Sequence, residues 1–280
     1  MNNITFKIFV LYFISISIIM VAFTFNFEKE PLFVSEEFLN REYPKEIQKT
    51  LRKSYRTRPN YIKRSYAQIA TYLPELLNPE IKYKVLDYSC GNGGFLETCR
   101  ELNNEILGTD PAYTAHGKRD STPGSYLQPT RANFVEKSEI LDPKIYKSIY
   151  DPVLTHQKIP YVCIKPQDIP LPFDDNSFDI VNCMLTLVVQ PAKGSKVGLS
   201  DDASCLEIHK TYVPYVLEEF FRIARNKVLL CEPQVFSKYG EGKGRKHGVK
   251  KLYESIKNNY GFKIQEISND GKFVLFCKKI

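Results

Sequence analysis

A glycine-containing turn with two nearby carboxylates is the part of the sequence best suited to chemistry. The segment Val85–Phe95 reads VLDYSCGNGGF and combines Asp87 with Gly91 and Gly93. Glycine at such positions lets a ligand approach the backbone where a side chain would obstruct it. Asp110 follows at the end of the next apolar run, where a carboxylate can accept both hydroxyls of a ribose. These residues predict a site for a nucleotide-like ligand.

Two kinds of nucleotide ligand must be compared at this turn. Ser89, Gly91 and Gly94 nearly match the GxGxxG pattern of dinucleotide sites, and Asp110 fits that pattern too. Asp87, just before the turn, would repel a pyrophosphate, whereas it would attract a ligand that carries an ammonium and a sulfonium. The sequence therefore favours a cationic ligand over a nicotinamide dinucleotide.

Other residues with catalytic chemistry are scattered along the chain. The four histidines are isolated, and no Cys/His grouping has zinc-ligand spacing, so we expect no metal site. The seven cysteines include no pair at CxxC spacing, and several fall in apolar runs, as Cys183 does in IVNCML. This usage is typical of small buried residues in a reducing compartment and argues against a disulfide framework.

From Lys84 the apolar pattern alternates between strands and helices. The runs KVLDY, EILGTD, YVCI, SFDIVNCML and KVLLCE have the character of buried strands, and FLETCREL and TYVPYVLEEFFRIAR have helical spacing. Such alternation predicts a parallel sheet covered by helices over residues 84–280. Polar stretches at about 112–160 and 190–212 interrupt it and predict insertions that shape a substrate pocket; for the longer one, a surface loop without a role in binding is the alternative. Residues 28–83 are predicted to be a connector and two helical stretches.

The N-terminal residues are strongly apolar. Ile8–Phe25 reads IFVLYFISISIIMVAFTF and carries no charge, which is just long enough for a membrane-spanning helix. We therefore predict one transmembrane anchor over residues 1–27. A cleaved signal peptide and a helix packed on the domain are the alternatives. Lys7 lies on one flank, whereas Lys29 and Arg41 lie on the other, and this bias together with the free cysteines favours a cytosolic catalytic domain.

Composition and charge narrow the class of partner. The chain is 43% hydrophobic and 25% charged, as in an ordinary globular protein. Its net charge of +7 is mostly dispersed, and only the stretch Lys243–Lys251 is clustered. This distribution argues against nucleic acid as a partner, and solubility and attraction to anionic lipid head groups account for the excess of positive charge.

Four motifs in order make the sequence resemble the class I S-adenosylmethionine-dependent methyltransferases. VLDYSCGNGGF looks like the first motif of that family, hhhDxGCGxG, with Ser89 where glycine is usual. ILGTDP resembles the second motif, and LPFDDNSFDIV is similar to the LPFxDxSFDxV signature of the small-molecule and lipid-acting branch. VLEEFFRIARNKVLLCEP resembles the following helix and strand, although Arg225-Asn226-Lys227 replaces the usual Pro-Gly-Gly turn. The resemblance implies a Rossmann-like, seven-stranded, mostly parallel sheet with helices on both faces.

The resemblance also implies S-adenosylmethionine as cofactor and a role for individual residues. Asp87 is expected to order the amino-acid end of the cofactor, Asp110 to bind its ribose, and Gln167 or Asp168 to meet its adenine amine. Asn182 and Cys183 are expected to line its methionine side, and Asp179 has a structural role and no catalytic one. The full expected set is Asp87, Ser89, Gly91, Gly93, Asp110, Gln167, Asp168 and Cys183.

The expected function is a membrane-anchored methyltransferase that acts on a small-molecule or lipid-type acceptor. Because the sulfonium is already activated, a positioned nucleophile suffices and a general base is not mandatory. The segment LTLVVQP after the fourth strand has no histidine, but His116, His156 and His209 lie in the insertions and could approach the site. The alternative, supported by Ser89 and the missing base, is a non-catalytic binding or scaffold protein with a degenerate methyltransferase fold. The sequence names neither the acceptor nor the oligomeric state.

Overall fold

The structure of the chain is a computed structural model. It describes residues 3–14, 17–28, 36–42, 45–110, 140–141, 147–148, 150–164, 170–184, 215–231, 260–267 and 273–278. Everything below refers to these residues.

The N-terminal residues form two strands. β1 (Asn3–Ile14) and β2 (Ser17–Glu28) pair antiparallel, from Asn3 opposite Glu28 to Ile14 opposite Ser17. The transmembrane helix predicted for Ile8–Phe25 is therefore wrong. The segment is rich in β-branched and aromatic residues, which favour extended backbone, and an uninterrupted apolar run has no periodicity that separates helix from strand. In the described ranges no helix is both long and apolar enough to cross a membrane.

The main sheet follows in chain order. Its strands are β3 (Lys84–Tyr88), β4 (Glu105–Asp110), β5 (Ile140–Leu141), β6 (Tyr161–Ile164), β7 (Phe178–Met184), β8 (Ala224–Cys231), β9 (Phe262–Ile267) and β10 (Phe273–Lys278). Their spatial order is β5-β6-β4-β3-β7-β8-β10-β9. Strands β6, β4, β3, β7 and β8 are parallel neighbours, while β10 runs antiparallel to β8 and β9. The predicted seven-stranded, mostly parallel sheet is confirmed, with the two-residue β5 as an additional edge strand.

The strand order reverses beside β3. From β3 the chain moves outward through β4 and β6 on one side, and later through β7 and β8 on the other. In open sheets of this kind, ligands bind beyond the carboxyl ends of the strands at the point of reversal. The topology therefore places the candidate site beyond the carboxyl ends of β3, β4 and β7.

Helices cover both faces of the sheet. They are α1 (Glu36–Glu42), α2 (Lys45–Tyr72), a short 3-10 turn (Pro74–Leu77), α3 (Gly94–Glu101), α4 (Asp151–His156) and α5 (residues 215–223). Val85 of β3 is buried with Ile62 of α2 and Leu96 of α3. The next residue, Leu86, is buried in a second cluster with Phe220 of α5. Because neighbouring strand residues point to opposite faces, the two clusters show a helical layer on each side, as predicted.

Helix α2 is longer than the sequence indicates. The sequence predicts two helical stretches on either side of Pro59, because an interior proline removes a helix hydrogen bond and costs about 3 kcal/mol. The helix instead continues through it for 28 residues. Leu51, Ile62 and Ile69 are at most 2% exposed, and each such buried side chain contributes roughly 1.5–3 kcal/mol. The packed face of α2 therefore offsets the cost of the proline.

Asp179 joins the amino-terminal ends of three strands. Its Oδ2 accepts the backbone N–H of Lys84 at 2.9 Å, and its Oδ1 accepts Nη1 of Arg225 at 2.8 Å. Arg225 also donates to the carbonyl oxygen of Asn176 at 3.1 Å. These contacts give Asp179 a structural role at the end of the sheet opposite the candidate site. Arg225, in the segment Arg225-Asn226-Lys227, therefore ties the start of β8 to the start of β7.

Five cysteines whose side chains the structure describes are buried thiols. They are Cys90, Cys99, Cys163, Cys183 and Cys277. Burial, the largest cause in each case, raises the pKa of Cys90 and Cys99 well above its usual value and that of Cys163 to about 12. Since the thiolate is the reactive form, these three cysteines act as small core residues and not as nucleophiles.

Candidate functional site

The turn between β3 and α3 is held in an unusual backbone conformation. Ser89, Gly91 and Gly93 have φ values of 63°, 53° and 74°, in the left-handed region. The backbone N–H of Ser89 donates to Oγ1 of Thr109 at 3.1 Å, and that of Cys90 donates to the carbonyl oxygen of Thr109 at 2.8 Å. The turn is therefore fastened to the last residues of β4, and α3 begins directly after it at Gly94.

Gly108 allows this close approach. A Cβ atom at this position would lie 2.6 Å from Sγ of Cys90 and 3.0 Å from Cδ1 of Leu96. Any larger residue at position 108 would therefore push the turn away from β4. No local sequence pattern marks Gly108, because the need for glycine comes from contact with Cys90, 18 positions earlier, and not from its own neighbours.

Asp87 is a buried carboxylate at the end of β3. It is only 4% exposed, and burial raises its pKa to about 7. Its Oδ1 accepts Nδ2 of Asn182 at 2.7 Å, from the paired position on β7. Oδ1 of Asn182 in turn accepts Nε2 of Gln68, on α2, at 3.4 Å. No cation of the described chain forms an ion pair with Asp87, so its negative charge would favour a cationic ligand group.

Asp110 is the second buried carboxylate, at the end of β4. It is 6% exposed, and burial raises its pKa to about 7. Its Oδ1 accepts the backbone N–H of Gly91 at 3.2 Å, and its Oδ2 accepts the hydroxyl of Ser148. The same Ser148 hydroxyl accepts the backbone N–H of Tyr150 at 2.9 Å. Asp110 thus already acts as the acceptor of a hydroxyl group, which is the role expected of it toward a ribose.

A cavity of about 280 Å³ opens beside the turn. Its lining combines the buried carboxylate of β3, the turn itself, aromatic rings and two cationic side chains of α2. The lining residues are Lys53, Tyr61, Arg64, Ser65, Asp87, Ser89, Cys90, Gly91, Asn92, Gly94, Phe95, Tyr150 and Met184. The cavity is close to the lower end of the roughly 300–1,000 Å³ typical of small-molecule sites.

The predicted site residues divide into groups. Asp87, Ser89 and Gly91 line the cavity together. Gly93 is buried, and a Cβ atom there would lie 2.5 Å from Cδ1 of Ile159, so it serves packing. Asp110 joins the group through its hydrogen bond with Gly91.

The remaining predicted residues lie elsewhere. Cys183 is fully buried in the apolar cluster under α5 and is not among the lining residues, although its neighbour Asn182 contacts Asp87. Gln167 and Asp168 lie outside the described residues, as do His116 and His209. His156 is exposed at the end of α4. Within the described ranges, no group of three or more His, Cys, Asp or Glu residues is placed to hold a metal ion.

Helix α2, which the sequence predicts as helical but without a role in the site, contributes a wall of the cavity. Tyr61, Arg64 and Ser65 line the cavity, and Gln68 lies behind it against Asn182. Ser65 and Gln68 are each 3% exposed, among apolar neighbours on the same helix. The available signal was polar residues at helical spacing on an otherwise apolar helix face.

Ser89→Gly tests the backbone of the turn. A residue other than glycine in the left-handed region costs roughly 1–2 kcal/mol, whereas glycine loses about 0.5–1 kcal/mol in chain entropy. We therefore expect this variant to be between neutral and about 1 kcal/mol more stable in urea unfolding. Ser89→Ala keeps the Cβ atom and should leave the strain in place. A clear loss of stability in Ser89→Gly would show that the serine side chain holds the turn.

Comparisons with known proteins find solved structures that are similar to the chain but no matching family. No protein-family model matches the sequence, and no curated protein sequence matches it. A magnesium protoporphyrin IX methyltransferase from Synechocystis PCC 6803, solved with bound SAM, is 13% identical, with 84% of this chain and 85% of that chain covered and a TM-score of 0.39.

Two further solved structures are similar to the chain to the same degree. A TehB-like SAM-dependent methyltransferase from Corynebacterium glutamicum is 14% identical, with 79% and 98% of the two chains covered and a TM-score of 0.38. A SAM-dependent methyltransferase from Aquifex aeolicus is 13% identical, with 72% and 90% covered and a TM-score of 0.36. At these identities and scores the likenesses establish neither the reaction nor the acceptor.

Proposed function

We propose that the chain binds S-adenosylmethionine and transfers its methyl group to a small-molecule or lipid-type acceptor. The proposal rests on the surroundings of the Asp87 carboxylate. It is a buried carboxylate in a ligand-sized cavity, its described partner is a neutral amide, and it stands beside a turn with a left-handed backbone. Leaving such a carboxylate buried without a cation is costly unless a ligand supplies one. The ammonium and sulfonium of S-adenosylmethionine would do so.

The described residues fit that cofactor at both ends of the site. Asp87 would bind its positively charged amino-acid end, and the open backbone at Gly91 would admit it closely. Asp110 would accept ribose hydroxyls in the way that it accepts the hydroxyl of Ser148. Bound S-adenosylmethionine would supply an electrophilic methyl group. The chain then has to orient the acceptor and exclude water from the site.

The geometry of the turn weakens the case for the non-catalytic alternative. It rested partly on Ser89, at a position where the resembled family has glycine. Ser89 nevertheless adopts a φ of 63°, as a glycine readily would, and the turn stays bonded to β4 through Thr109. Among the lining residues there is no histidine. The proposed reaction therefore depends on the positioning of an acceptor nucleophile.

Membrane attachment and a cytosolic catalytic domain are part of the proposal. Attachment is supported by the uncharged composition of Ile8–Phe25, and a cytosolic location is supported by the use of cysteines as buried thiols, which is typical of a reducing compartment. Deletion of residues 1–28 tests this. The shortened chain should still bind S-adenosylmethionine, because the site residues described above begin at Lys53. Recovery of the full-length chain, but not the shortened one, with vesicles in flotation would support attachment.

The function is tested by calorimetry followed by product detection. The purified chain should bind S-adenosylmethionine, and Asp87→Asn, which keeps the shape and the amide contact partner but removes the charge, should bind it much more weakly. Labelled cofactor and a cell lysate should then yield a methylated product with the original chain and not with the variant. Binding without any labelled product would favour the scaffold alternative. Absence of binding would contradict the proposal.

Binding should also depend on pH. Burial raises the pKa of Asp87 and Asp110 to about 7, so both carboxyls gain protons as the pH falls from 8 to 6. The ionised form of Asp87 attracts the cation and the ionised form of Asp110 is the stronger acceptor of ribose hydroxyls, so the affinity should fall over this range by up to about tenfold in total for each carboxyl. Calorimetry at pH 6, 7 and 8 measures this. Asp87→Asn should show a shallower dependence, and an affinity that rises toward pH 6 would contradict the prediction.

The stability of the unliganded fold should change in the opposite direction. The pKa of each carboxyl is about 7 in the folded chain and near 3.8 in the unfolded one. The folded chain therefore holds more protons between these values, and these two groups should make it less stable as the pH rises through that interval.

A further inference from the structure

Arg64 differs from other arginines of the chain in its surroundings. Arg52, Arg222 and Arg225 each form an ion pair with a carboxylate. The guanidinium of Arg64 instead lies 5.0 Å from the centre of the Tyr61 ring, and its Nη2 lies 3.7 Å from Sδ of Met184. Within the described part of the chain, no acidic residue forms an ion pair with it. A cavity-lining guanidinium is thus left with an aromatic ring and a thioether as partners.

These two partners do not use the hydrogen-bonding capacity of the guanidinium. Thioether sulfur is a weak acceptor, and a cation over an aromatic ring at an exposed site contributes little. A guanidinium carries five N–H donors in a rigid fork that matches the two oxygens of a carboxylate. The Tyr61 ring and the Met184 side chain therefore hold the fork in place without satisfying it.

The position of Arg64 in the cavity restricts which part of a ligand it can meet. It contacts Met184 at the end of β7, whereas Asp110 ends β4. These two strands lie on opposite sides of β3, which carries Asp87. A ligand that extends from Asp110 past Asp87 would therefore reach Arg64 only with its far end, or with a second molecule bound beyond it.

We propose that Arg64 is the anion-binding residue of this cavity and that it binds a carboxylate. The proposal rests on the proposed function, because it concerns the ligands of the same site. The carboxylate has two chemically equivalent sources: the amino-acid end of the cofactor, or an acceptor that carries an acidic group. In either case the cavity recognises a ligand set of both charges, a cation at Asp87 and an anion at Arg64.

The test compares Arg64→Gln with the original chain and with Arg64→Lys, which keeps the charge but loses the fork. Arg64 is exposed, and Gln should not disturb the packing of α2, which circular dichroism and thermal unfolding can check. Calorimetry with S-adenosylmethionine and with its decarboxylated analogue forms the first arm. Ligand-observed NMR with benzoate, in the absence and in the presence of S-adenosylmethionine, forms the second.

Two results would support the proposal and identify the source. If the carboxylate is that of the cofactor, Arg64→Gln should lower the affinity for S-adenosylmethionine at least tenfold. The affinity for the decarboxylated analogue should change by less than twofold. If the carboxylate is that of the acceptor, Arg64→Gln should bind S-adenosylmethionine as tightly as the original chain does but should no longer bind benzoate. Arg64→Lys should be intermediate in either case.

The proposal is overturned if Arg64→Gln changes neither the affinity for S-adenosylmethionine nor the binding of benzoate. This outcome differs from a failure of the proposed function. An original chain that does not bind S-adenosylmethionine contradicts the methyltransferase proposal, whereas the benzoate titration without cofactor still tests Arg64. A chain that binds neither probe contradicts both.

Discussion

Replacing Asp110 by alanine is expected to weaken S-adenosylmethionine binding by about 2–4 kcal/mol, or roughly 30- to 900-fold, as measured by calorimetry. The carboxylate of Asp110 already accepts a hydroxyl, from Ser148, and a backbone N–H, from Gly91. Two charge-assisted hydrogen bonds to ribose would be lost on substitution. The variant also frees the Gly91 amide, so part of the effect would come from a less ordered turn.

Two control variants separate these contributions. Asp110→Asn keeps the shape and one acceptor oxygen, so it should bind more tightly than Asp110→Ala but less tightly than the original chain. Ser148→Ala removes the hydroxyl that occupies Oδ2, and it should leave the affinity unchanged or increase it, because a ribose hydroxyl would no longer displace an internal partner. Thermal unfolding must show that all three fold. An unchanged affinity in folded Asp110→Ala would refute the assignment of the site.

The turn and the sheet around it could be predicted because their signals are local. Apolar runs of strand length, a glycine-containing turn and a carboxylate at each of two strand ends follow one another within Lys84–Asp110. Such a segment dictates its own conformation and, through the parallel pairing of β3 and β4, the proximity of Asp87 and Asp110. The sequence therefore determines the acidic part of the site almost entirely.

The rest of the site could not be predicted because it depends on contacts between distant parts of the chain. Ser148 meets Asp110 from 38 residues away, and Gln68 meets Asn182 from 114 residues away. Nothing in the local pattern around Ser148 or Gln68 specifies such a partner. The burial of Cys183 away from the cavity lining has a related reason. Alternate strand residues face opposite sides, so Asn182 faces the site while Cys183 lies under α5.

The helix predicted for the N-terminal segment was wrong for a different physical reason. Length and hydrophobicity of Ile8–Phe25 are compatible with a spanning helix, but both properties are also compatible with two strands. What separates the two states is the β-branched and aromatic content of the segment together with pairing between its halves. The pairing places Val10 opposite Val21 and Phe13 opposite Ile18, which suits a strand pair. Hydropathy alone carries no information about that pairing.

Gly93→Ala is expected to lower the free energy of unfolding by about 2–4 kcal/mol, because two penalties combine. Its φ of 74° lies in the left-handed region, where an alanine is strained. The added carbon would also lie 2.5 Å from Cδ1 of Ile159 and 2.8 Å from Cδ2 of Leu154. Both of these side chains are at most 3% exposed, so they can move aside only by disturbing the packing of α4 against the turn. Urea unfolding measures the loss.

Gly91→Ala is the matched control and should separate packing from ligand binding. Its φ of 53° imposes a similar strain, but the nearest atom to an added Cβ is Cε2 of Tyr150 at 3.7 Å, an ordinary contact. The loss of stability should therefore be only about 1 kcal/mol.

Gly91 lines the cavity, so the same methyl group, and more so the larger side chain of Gly91→Val, should obstruct the cofactor. Calorimetry should show weaker S-adenosylmethionine binding in Gly91→Ala and none in Gly91→Val. Equal losses of stability in Gly91→Ala and Gly93→Ala would mean that backbone strain, and not the contact with Ile159 and Leu154, makes Gly93 necessary.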